Sequence, residues 1–153
     1  MRERSTWVIS DTRRSEIFKN KWLRLCNDRL KWLSDKKTPY VQQILIHLGE
    51  YRTLIFCNSI EQTEMLGKYC INSKNKKSVE YLEAFNKGKI DHITACNMLN
   101  EGMNLVNCQV GIYANLNSSD TIVKQRMGRL LRHKNPVLIV PYFVGTRDEE
   151  LAN

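Results

Sequence analysis

Arg126, Arg129 and Arg132 place three guanidiniums within the run Gln125-Arg126-Met127-Gly128-Arg129-Leu130-Leu131-Arg132, with Gly128 between the first two. Permanently charged planar forks at this density suit the holding of phosphate, since each can donate parallel hydrogen bonds to its oxygens. On the residues alone a plainer reading stays open, in which these cations complement the dipole of their own helix end. Two other stretches carry polar groups beside apolar runs. Asn58-Ser59 follows Thr53–Cys57 and can cap a helix, offer amides and short side chains to a phosphodiester, or both. Glu101, Gly102 and Asn104 follow a second apolar stretch, where Gly102 either lets the chain pass close to a ligand or simply makes a turn.

These groups need a scaffold, and the hydrophobic period supplies one. Phe18, Trp22, Leu25, Cys26, Arg29, Leu30 and Leu33 recur at spacings of three and four, which predicts a helix over 12–34. Trp22 and Trp32 read as packing residues of that helix. Pro39 then separates it from a second helix over 40–48, closed by Gly49. Beyond this point short apolar runs alternate with helical patterns. Strands are expected over 53–57, 89–95, 109–114 and 137–140, and helices over 60–69, 78–86 and 119–132. The tail 146–153 reads as a frayed end or final turn. Such alternation implies an α/β domain, a mostly parallel sheet with helices on both faces and its ligands at the carboxyl ends of the strands. The expected organisation is a basic N-terminal helical segment, 1–49, and an α/β domain, 50–153.

The bulk numbers narrow the classes. At 153 residues with 42% apolar and 26% charged content, the chain reads as a globular domain able to bury one core. No apolar run approaches the roughly 20 residues a membrane span needs, and the first residues lead into no signal-peptide core, so a cytoplasmic protein without membrane partners is expected. Five cysteines without a C-x-x-C pair suggest reduced, mostly buried thiols and no metal site. His47, His92 and His133 stand singly and read as ordinary histidines. Residues 1–40 hold eleven Lys/Arg against five Asp/Glu, a net +6 of the chain's total of +8. That asymmetry suits a polyanionic partner, most economically nucleic acid, although a solvated lysine-rich face accounts for it too.

Taken in order and spacing, three segments resemble the second RecA-like domain of a superfamily-2 helicase or translocase. Leu54–Cys57 with Asn58 and Ser59 resembles motif IV, 93–105 resembles motif V, and Gln125–Arg132 with its Q-x-x-G-R-x-x-R pattern resembles motif VI. The resemblance covers roughly 53–144. It implies a RecA-like three-layer sandwich preceded by N-terminal helices. It further implies that Arg129 and Arg132 are arginine fingers reaching the γ-phosphate of ATP across a domain cleft. Gln125 and Arg126 would position that loop, and Glu101, Gly102 and Asn104 would lie near the nucleotide or the domain interface. Asn58, Ser59, Thr94 and Cys96 would line the grip on a nucleic-acid backbone. Cys96 departs from the threonine common in motif V. A thiol is a poor donor, so the nearby Thr94 is expected to substitute in part.

No G-x-x-x-x-G-K-[ST] run occurs in the 153 residues, nor an acidic magnesium-holding motif. Those features belong to the first RecA-like domain, so ATP would be shared with a Walker-bearing lobe in the same or another chain, with Mg2+ held by that lobe. The chain alone is expected not to hydrolyse ATP. A non-catalytic module that docks nucleic acid or protein is the competing reading, and a decayed remnant a third. The E-G-M-N-L stretch, with Asn104 and Gln125 where DEAD-box RNA helicases usually carry Asp and His, leans the expectation toward DNA over RNA.

Overall fold

The structure, a computed structural model, describes residues 12–96, 105–115 and 133–152. Among them, in chain order, are helix α1 (Thr12–Leu48), strand β1 (Thr53–Cys57), helix α2 (Ile60–Leu66) and strand β2 (Cys70–Ile71). Helix α3 (Ser78–Asn86), strands β3 (His92–Cys96), β4 (Val110–Tyr113) and β5 (Val137–Ile139), and helix α4 (Arg147–Ala152) complete them. The strands form one sheet in the order β2-β3-β1-β4-β5, and every pairing is parallel. The chain divides into two compact units, Met1–Leu33 and Ser34–Asn153, and the division falls inside α1.

Strand β1 is buried at all five positions because both faces of the sheet are covered. Leu54 and Phe56 join Ile71, Phe85, Ile93 and Tyr113 in one cluster, into which α3 contributes the fully buried Phe85. Ile55 and Cys57 point the other way, to Val110, Ile112, Leu66 of α2 and Val41 and Leu45 of α1. A continuous apolar run is therefore the correct signature of a central parallel strand here. The result is the helix–sheet–helix layering of a RecA-like domain.

Several local expectations need correction. Pro39 does not divide two helices; α1 runs through it from Thr12 to Leu48. Proline inside a helix costs about 3 kcal/mol. Burying Val41 and Leu45 just beyond it contributes about 1.5–3 kcal/mol each, enough to hold the helical path. Thr38, the preceding residue, also donates its hydroxyl to the Ser34 carbonyl at 2.9 Å. Helix α2 stops at Leu66, short of residue 69, and the next apolar pair, Cys70-Ile71, forms the unforeseen strand β2. Gly67 caps α2 and lies so close to β3 that a Cβ there would come within 2.9 Å of Thr94 Cγ2. Strand β3 begins at His92 instead of 89 and ends at Cys96. The tail neither frays nor merely turns: α4 buries Asp148, which pairs with the equally buried Lys37 of α1. The expected helix over 119–132 lies outside the described residues.

All five cysteines fall within the described residues, and none forms a disulfide. Burial pushes the Cys108 thiol up from 9.0 to about 11, and the Arg52 charge with backbone contacts at Leu54 and Val110 only partly opposes it. Cys57 is raised as well, first by burial and then by Cys96 and Cys70. A raised folded value means that the thiol's stabilising contribution is complete below pH 9 and is lost as pH climbs through the folded value. The urea midpoint of the chain is accordingly expected to fall between pH 9 and about 11, and Cys108→Ala should make that fall shallower.

Candidate functional site

Strand order places the roots of the three chemical segments side by side. β3 and β4 flank β1, with Cys57 opposite Cys96 and Phe56 opposite both Ala95 and Tyr113. The three strands therefore end level with one another, and the chain leaving each emerges on one rim. Asn58-Ser59 leaves β1, residues 97–104 leave β3, and Asn115 leads from β4 into 116–132. Ligands of open parallel sheets collect at this edge because the loops there carry unpaired backbone groups.

Ser59 is half-buried, with extended backbone, and caps α2: its hydroxyl oxygen accepts from the Gln62 amide at 3.1 Å. The cap uses Ser59 as acceptor only, which leaves its O–H proton for a phosphate oxygen. Capping and backbone contact are thus compatible. Ser59→Ala should lower stability by about 1 kcal/mol in urea unfolding. Ser59→Asp should retain the cap, since aspartate caps as well as serine, yet weaken oligonucleotide binding through charge repulsion. Equal binding by both variants and the parent would remove Ser59 from the interface. Asn58 stands beside it, also half-buried.

Thr94 and Cys96 were expected to line the grip on a nucleic-acid backbone, but both side chains are buried. Thr94 is fully buried, and its hydroxyl donates to the Thr63 carbonyl at 3.2 Å, so it ties β3 to α2. Cys96 is 4% exposed, and burial followed by the Glu61 charge raises its pKa, which keeps it a neutral thiol. Both positions are packing residues, because β3 is a strand covered on both faces through to its last residue. Glu101, Gly102, Asn104, Gln125, Arg126, Arg129 and Arg132 lie outside the described residues.

Two features escaped the reading of the sequence. At the root of the rim, Asn115 is buried and donates through Nδ2 to Ser34 Oγ at 3.0 Å and to Gln62 Oε1. Gln62 Nε2 in turn faces the Ser34 carbonyl and Thr38 Oγ1, each at 3.4 Å. This cluster ties the end of β4 to α1 and α2 and so fixes the point from which 116–132 departs. Its members are scattered from 34 to 115, and no local pattern joins them. The second feature is a cleft of about 390 Å3 lined by Ile60, Glu64, Lys68, Cys70, Asn72, Lys74 and Asn75, just past β2. Lys74, Lys76 and Lys77 are exposed around it, and the basic run 74–77 was its only signal in the sequence. Among the described residues, no group of three or more His, Cys, Asp or Glu could hold a metal ion, and no helix is long and apolar enough to cross a membrane.

Comparison with known proteins gives a match to the helicase conserved C-terminal domain over residues 36–134. No curated protein matches the sequence. Among solved structures, the chain is similar to the E. coli DEAD-box protein SrmB in complex with regulator of ribonuclease activity A. That similarity is at 16% identity and a TM-score of 0.55, over 70% of each chain. It is similar to the RNA-helicase Prp28 from Chaetomium thermophilum bound to ADP, at 21% identity and 0.59, over 76% of this chain and 32% of that one. A third is the DUF1998 helicase MrfA bound to DNA and AMPPNP, at 19% identity and 0.59, over 74% and 19%. The chain thus spans a third or less of the length of the latter two. At these identities the structures establish a shared fold.

Proposed function

Since the chain belongs to the helicase conserved C-terminal domain family, we propose that it is the C-terminal motor lobe of an ATP-dependent nucleic-acid helicase or translocase. The observation that carries this reading is the common rim on which β1, β3 and β4 end, with a motif-like segment leaving each strand. ATP lies between this lobe and a Walker-bearing lobe, which also holds Mg2+. Arg129 and Arg132 approach the γ-phosphate from this side, with Gln125 and Arg126 setting their loop. Glu101, Gly102 and Asn104 line the same interface. Asn58 and Ser59 hold one strand's backbone by phosphate and sugar, a contact that reads no base sequence.

DNA is the substrate we propose, on Asn104 and Gln125, which stand where DEAD-box RNA helicases usually carry Asp and His. One structural relative is an RNA-helicase and another is bound to DNA, so both nucleic acids belong in the test. The decisive experiment adds a Walker-bearing lobe to this chain and measures ATP turnover with single-stranded DNA, with RNA and with neither. Turnover that needs both lobes and rises with DNA supports the proposal. Turnover by the chain alone, or none in the combined assembly with either polymer, would overturn it.

A further inference from the structure

Trp22 and Trp32, which the sequence suggested were packing residues, are 62% and 57% exposed, and Phe18 and Leu25 are 63% and 56% exposed. Positions 18, 22, 25, 29 and 32 recur at spacings of four and three, so they fall along one line of α1. The line reads Phe, Trp, Leu, Arg, Trp, and Arg29 within it is exposed, as are Lys19 and Lys21 beside it. Residues 12–33 hold seven Lys/Arg and two Asp/Glu. Neither acid, Glu16 nor Asp28, lies on the line.

We propose that this segment is a stacking arm for single-stranded nucleic acid. Bases lie on the Phe18 and Trp22 rings while Arg29 and the flanking lysines meet the phosphates. Two observations select this occupant. The excess of cations suits a polyanion and opposes pairing with a second copy of the same basic helix. Arg29 also stands within the aromatic line, so a planar fork that matches phosphate geometry lies between the rings. Aromatic faces accept any base, and a cation between them serves backbone and ring alike. From Phe18 to Trp32 the helix rises about 21 Å, room for on the order of four nucleotides. The arm precedes the family-matched residues 36–134. It rests on the nucleic-acid half of the proposed function and is independent of its ATP chemistry.

The chain carries its own reporter, for its three tryptophans (Trp7, Trp22, Trp32) all precede residue 34. The experiment titrates the full chain with fluorescein-labelled twelve-nucleotide oligo-dT and oligo-U, following label anisotropy and tryptophan emission together. Binding accompanied by tryptophan quenching is expected. Trp22→Ala should weaken binding about 5- to 100-fold, and Trp22→Phe should restore most of it. Phe18→Ala should weaken binding in the same direction. Rising anisotropy with unchanged emission and unimpaired Trp22→Ala binding would sink the arm while leaving the lobe's grip intact. An emission change produced by phosphatidylserine vesicles but not by oligonucleotides, or a doubling of mass abolished by Trp22→Ala, would sink it in favour of a membrane or a second copy. Loss of ATP turnover in the two-lobe assembly bears only on the motor reading.

Discussion

Replacing Arg132 by alanine is expected to lower ATP turnover of the combined lobes by about 10³–10⁵, the range in which an arginine finger contributes to phosphoryl transfer. The effect is this large because charge accumulates on the phosphoryl oxygens only as the transition state forms, so the guanidinium acts mainly on rate. Oligonucleotide affinity should stay near that of the parent, since Asn58, Ser59 and the basic arm are untouched. Arg132→Lys should rescue little, because an ammonium retains the charge without the planar fork. Turnover within about threefold of the parent in Arg132→Ala would remove this residue from the chemistry. An equal loss of turnover and of binding would instead assign it to the nucleic-acid grip.

Asp148→Ala is expected to destabilise the chain by about 3–5 kcal/mol, read as a shift of the urea midpoint, because it leaves Lys37 charged and buried. The two side chains are 3% and 4% exposed and form an ion pair. Lys37 Nζ meets Asp148 Oδ2, an oxygen that has no other hydrogen-bond partner. A pair of this kind is costly to break and cheap to replace. Lys37→Met combined with Asp148→Leu should therefore recover most of the stability lost by either half alone. A loss below about 1 kcal/mol for Asp148→Ala would mean that the pair is open to water. A double variant no better than Asp148→Ala would mean that the charges themselves hold α4 to α1.

Where one segment's own pattern decides, the sequence was readable. Strand β1 and helices α2 and α3 were foreseen because continuous apolar runs, a serine cap and three-to-four spacing are local signals. The parallel sheet followed from the alternation of strand and helix patterns, but the adjacency of β3, β1 and β4 did not, because their pairing joins segments about 40 to 60 positions apart. Pro39 misled because its local cost is offset by contacts of Val41 and Leu45 with distant strands. Strand β2 is two residues long and offers no period to detect. Thr94 looked like a ligand residue at the end of a strand; only the position of α2 reveals that its hydroxyl is already committed to Thr63. The cluster of Ser34, Thr38, Gln62 and Asn115 joins residues up to 81 positions apart, a partnership that no window along the chain can display. Trp22 and Trp32 show the opposite failure. Amphipathic spacing identifies an apolar stripe, but not whether the same chain covers it.

Four of the five thiols are sealed inside the sheet or its flanking layers, and Cys26 alone is partly open, on the helix that also bears Trp22. Maleimide chemistry on the native chain should therefore attach a single dye to that helix, with no engineered cysteine and no thiol removed. A donor placed there, read against an acceptor on the end of a bound strand, converts four inert sulfurs and one accessible one into a ruler for where the polymer enters.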